Sequence, residues 1–80
     1  MPISETSVIE RIARVLAAET ASANAHGGEA SAGRDVDRAW PEYRDRAIAV
    51  LKTLREPDAR MAAAGDAEVW EKMVIAAIGD

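Results

Sequence analysis

His26 is the only histidine of the chain and stands in the run Ala25-His26-Gly27-Gly28-Glu29. Paired glycines let a backbone approach a ligand closely, and Glu29 is near, so the run has the look of a site. Its chemistry does not close. Zinc wants about four ligands, and the sequence offers one imidazole and, with no cysteine, no thiolate. A general base needs a partner within hydrogen-bond reach, and the sequence identifies none for His26. The run HGGEASAG that starts at His26 lacks the lysine and the spacing of a phosphate loop, and no strand precedes it. Ser4, Ser7, Ser22 and Ser31 have no nucleophile context, and no carboxylate pair stands out as acid and base. We therefore read His26 as a solvated loop residue, assign no catalytic, metal-binding or cofactor-binding residue, and expect no enzyme activity and no cofactor.

Three aromatic residues and a group of arginines could instead bind nucleic acid. Trp40, Tyr43 and Trp70 could stack bases, but each lies on an apolar stripe at helical spacing, which makes it a core or interface anchor. Arg34, Arg38, Arg44, Arg46, Arg55 and Arg60 are interleaved with Asp35, Asp37, Glu42, Asp45, Glu56 and Asp58. Alternating signs on helix surfaces describe a solvated exterior. The proline and glycine of Leu54–Trp70 could make a DNA-reading helix-turn-helix. With Gly65 in its turn, however, Met61 stands where a small residue belongs, and Asp66 and Glu71 stand where apolar ones belong. The second helix would present Glu68, Glu71 and only Lys72 to phosphates. Two plain inter-helix corners fit better. The net charge of −4 also disfavours nonspecific attraction to phosphate backbones or anionic lipid. Nucleic acid is thus the second reading, through the central arginines, and a membrane and a small-molecule substrate are not expected.

The elements that carry these residues follow from apolar periodicity. Eighty residues suffice for one domain, which at this size buries only about 60–65% of its unfolded surface. Close to half of the apolar residues are alanine, so the core is modest. A first helix begins near Ser7, where SVIE makes a capping box with Glu10; Thr6 and Ser4 are rival caps. Val8, Ile9, Ile12, Val15 and Leu16 form its stripe, fading near Thr20 or Ala21. Residues 22–34 read as a flexible loop within a single helical domain, 1–80. A second helix, capped by Asp35 or Asp37 and tolerating Pro41 in its first turn, runs to about Arg55. Its stripe is Trp40, Tyr43, Ala47, Val50, Leu51 and Leu54.

Pro57 ends that helix and opens a short one, which Glu56 can cap, and Gly65 suits a left-handed residue past its end. Asp66 can cap a last helix, about Ala67 to Ile78, that stops at Gly79. Val69, Trp70, Met73, Val74 and Ala77 form its main face, and the run Met73–Ile78 has no polar residue at all. That end is buried on several sides or meets a partner. The expected fold is all-α: a small bundle of three main helices plus one short helix after Pro57. Its expected core is Ile12, Leu16, Tyr43, Val50, Leu51, Leu54, Trp70, Met73 and Val74. Ile48 and Ile75 lie off their stripes, and with Ile78 they are the candidate partner contacts. The start of the chain lacks a basic, then apolar, secretion signal, and no run approaches a membrane span of roughly 20 apolar residues. The cytoplasm is the expected compartment.

The second half of the chain, and weakly the first helix, resembles a group of short uncharacterised bacterial and prophage-associated helical proteins. The resemblance rests on Trp40 and Tyr43, Ala47, Leu51 and Leu54, the Arg55-Glu56-Pro57 corner, Met61, Ala64 and Gly65, then Trp70, Met73, Ala76 and Ala77. Pro41 and the stretch between Gly65 and Trp70 depart from the pattern. The resemblance implies a small helical protein and transfers no activity or site. The leading functional expectation is a protein–protein interaction module or homodimer.

Overall fold

The computed structural model describes residues 3–25 and 32–79, and every regular element among them is a helix. Helix α1, Val8–Ala25, starts where its first turn finds a cap: the Glu10 amide donates to the Ser7 hydroxyl at 3.1 Å. It continues past Ala21, and α2 spans Ala32–Ala39. The expected loop 22–34 is therefore helical at both ends. Alanines 23 and 25 extend α1 without a propensity cost. Residues 26–31, with His26, lie outside the described residues. Because α2 begins before Asp35 and Asp37, neither caps it.

Pro41 acts as a break between helices rather than in the first turn of one long helix. A proline supplies no amide for the α-helical ladder and crowds the carbonyl four residues back. The chain answers with a 3₁₀ turn, Trp40–Tyr43, and then α3, Arg44–Leu54. The Arg44 amide bonds the Pro41 carbonyl in the tighter register. Helix α4, Ala59–Ala64, and α5, Ala67–Ile78, complete the chain. Helix α1 lies along α2, the 3₁₀ turn and α3, and α3 carries α5 on another side. The chain is thus an all-α bundle with a short helix after Pro57, as expected.

The buried seam keeps to part of the expected stripes in α3 and α5 and departs from the expected stripe in α1. In α1 the buried residues are Ile9, Ala13 and Ala17; in α3, Ala47 and Leu51; in α5, Val74. The buried face of α1 is turned by about 100° from the centre of the Val8–Leu16 stripe, taking 100° per residue. Val15 is consequently 60% exposed. Ala13 and Ala47 are the two most deeply buried side chains. Small residues at a crossing let helix axes approach more closely, and Ala77 and the larger Val8, Ile12, Trp40, Tyr43, Ile48, Trp70 and Ile78 close the rim. Of the expected core, Leu51 and Val74 are buried, and Tyr43 and Trp70 pack against the cluster, but Val50, Leu54 and Met73 are exposed.

One polar clamp holds α1 to α2 and the 3₁₀ turn. The Arg14 guanidinium donates to Asp37 at 2.6 Å and to Glu10 at 2.8 Å, and it lies 5.6 Å from the centre of the Trp40 ring. The bonds to Asp37 and then Glu10 raise the Arg14 pKa above its ordinary value.

Candidate docking face

The corner after α3 is built from local hydrogen bonds. The Asp58 carboxylate, rather than Glu56, caps α4 by accepting from the Met61 amide at 2.9 Å. Pro57 therefore precedes the cap instead of opening the helix. Gly65 is extended (φ −160°, ψ −152°) rather than left-handed. The next residue, Asp66, is already the cap of α5, and a cap residue sits in the extended region, so the chain leaves α4 straight. One Asp66 oxygen accepts from the Glu68 amide at 2.9 Å and the Val69 amide at 3.2 Å. The far end of α5 closes on Gly79, left-handed at φ 89°, whose amide reaches the Ile75 carbonyl at 3.1 Å.

Trp70 fixes α5 against α3. Its ring packs on the core cluster, and its indole N–H donates to the Leu54 carbonyl at 2.7 Å. That bond satisfies an end carbonyl of α3, which has no intrahelical partner. With α5 pinned this way, its buried side is Val74, flanked by Trp70, Ala77 and Ile78. Met73 and Val69, four apart on one flank, point away from the core and are 63% and 49% exposed.

These residues form a groove with α4. A concavity of about 430 Å³ is lined by Pro57, Met61, Ala64, Val69, Trp70 and Met73, with the Gly65–Ala67 turn at its end. Its one charged lining side chain is Asp66, whose carboxylate caps α5. Every residue of α4 is exposed, Met61 to 39%. A smaller hollow of about 320 Å³ lies over α1 between Val8, Arg11, Ile12 and Val15.

The three isoleucines proposed as partner contacts lie elsewhere. Ile48 and Ile78 are half-buried against the core cluster, and Ile75 is exposed on the other flank of α5 from Met73. Sequence reasoning put Met73 in the core and Val69 on the main face of the last helix, and weighed Met61 as the small position of a helix-turn-helix and as part of the family resemblance. The available signal was the run Met73–Ile78: a helix end apolar all round shows some of that surface wherever only one neighbour covers it.

No group of three or more His, Asp or Glu side chains is placed to hold a metal among the described residues. Arg38, Arg44, Arg55 and Arg60 are exposed, and Arg46 lies over the Tyr43 ring at 5.3 Å. Among the described residues no helix is long and apolar enough to cross a membrane. No protein family, no curated protein and no solved structure matches this chain.

Proposed function

We propose that this chain is a small helical interaction module without chemistry of its own, and that it docks a protein on the α4–α5 face. One observation supports the reading above the others: Met61, Val69 and Met73 are exposed around a groove whose lining is apolar apart from the Asp66 carboxylate at its end. Concave, mostly apolar surfaces of this kind are where proteins take up ligands and helices. Exposed methionines adapt their shape to a docked side chain. The resemblance to short prophage-associated helical proteins and the assignment to the cytoplasm belong to the same proposal.

Photo-crosslinking in the producing cell tests it. Methionine replaced by a diazirine analogue puts a reactive group at Met61 and Met73, on the groove itself. Crosslinks to protein that disappear in a Met61→Glu chain and shift in a Val69→Glu chain support the reading. A chain that forms none is not a docking module at this face.

A further inference from the structure

We propose that the protein taken up by the α4–α5 face is a second copy of this chain, the two faces meeting about a two-fold axis. The proposal rests on the docking reading above and names its partner.

Surface area is the first argument. The chain exposes 6194 Å², whereas a compact monomer of its 8.5 kDa exposes about 4,700 Å². Its radius of gyration is 15.1 Å, against about 12 Å for a compact domain of this length. The excess of about 1,500 Å² exceeds the roughly 800 Å² per partner that a standard stable interface covers. Summed over the whole chain, the excess is on the scale that a dimer hides.

Charge is the second. A two-fold interface sets each patch against its own image, so an ionised lining would bring like charges together. Here Asp66 is the one ionisable lining residue, at the Gly65–Ala67 end of the groove, and its carboxylate faces the Glu68 and Val69 amides at the positive end of α5. The like-charge cost of pairing is confined to that one residue per copy. Glu68 and Glu71 stand on the other flank of α5, away from Met73, by helix geometry.

Helix α4 is the third. It has six residues, all exposed. Helices shorter than about 12–15 residues are marginal in water when nothing packs on them. A second copy laid across Met61 and Met73 gives α4 the packing that its own chain does not supply.

Light scattering and sedimentation of the full chain, from micromolar to near-millimolar concentration, test the proposal. The expected result is a mass twice that of one chain, with a Tm that rises with concentration. Met73→Glu alters a side chain that is 63% exposed. It should keep the helical circular dichroism and return the mass to one chain, with at least a tenfold weaker dimer. Val15→Glu, on the α1 hollow, should leave the dimer intact. A monomer at every concentration overturns the proposal, as does a dimer that Val15→Glu dissolves and Met73→Glu does not. If the chain is monomeric but methionine crosslinks join it to a different protein, the docking reading stands and self-pairing falls. If it is monomeric and forms no crosslinks, both fall.

Discussion

Ala13 is fully buried in the α1–α3 seam, and Val15, two residues on, is 60% exposed. Apolar size alone predicts the reverse, so exchanging the two characters tests the seam directly. Ala13→Leu adds three carbons where Ala13 and Ala47 share a cluster with Leu51 and Ile9. Overpacking a tight site costs about 1–3 kcal/mol, and a close helix crossing belongs at the upper end. A domain of this length has about 4–12 kcal/mol of stability in all. With about 4–8 °C of Tm per kcal/mol at this size, Ala13→Leu should lower Tm by about 10–20 °C. Val15→Ala removes a mostly wetted side chain and replaces a β-branched residue by the best helix former. It should change stability by less than about 0.5 kcal/mol, or raise it slightly. Thermal melts by far-UV circular dichroism at one fixed concentration, repeated with urea, read both variants. If Ala13→Leu melts with the parent while Val15→Ala loses several degrees, α1 is rotated from the orientation described here.

Four further outcomes follow from individual polar side chains. Asp66→Ala should cost about 1 kcal/mol, because it removes the acceptor for two amides of a helix that packs on the core; Asp58→Ala should barely move the global melt and instead speed hydrogen exchange in α4 alone. Trp70→Phe keeps most of the ring and loses the 2.7 Å bond to the Leu54 carbonyl, so urea titration should show about 0.5–1.5 kcal/mol of destabilisation. Arg14→Met should lower Tm. A pKa raised in the fold gives stability that is full below the unfolded pKa and is lost only as pH climbs through the folded one. For Arg14 that window lies in strong alkali, so its bonds add no pH dependence across the neutral range.

What the sequence made legible were the features carried by neighbouring residues. Ser7, Asp66 and Gly79 could be named as helix ends because a cap is a bond over two to four residues. Trp70 and Leu54 were both in the expected core because each lies on an apolar stripe, and the stripes of the second and last helices meet if the last helix folds back. The seam was harder to see. Periodicity weighs large side chains: Ala47 fell on a stripe because larger neighbours drew it, whereas Ala13, equally deep, is a small residue off the stripe of its helix. Pro41 announced a break, but whether a helix starts or resumes there depends on what stands before it. Residues 32–34 read as the end of the 22–34 loop and Asp35 or Asp37 as a cap, whereas all of 32–39 is one helix. In the structure Asp37 from that segment meets Arg14, a partner too distant in sequence for any local pattern to reveal. The groove lined by Met61, Val69 and Met73 is likewise separate from the expected contacts Ile48, Ile75 and Ile78.

The seam and the exposed face have one cause. Alanine at Ala13, Ala17 and Ala47 lets the helices approach closely, but each contact then hides little area, at about 25 cal/mol per Å². Closely spaced helices leave less interior volume for large side chains, so valines and methionines collect at the flanks. Leu51 alone brings a leucine into the buried set. Helix α5 meets mainly α3, so one flank of an end apolar all round has no cover from its own chain. A larger core would draw Met73 and Val69 inward. With this alanine content, they remain outside, and the stability that the core omits is available at the surface where they stand.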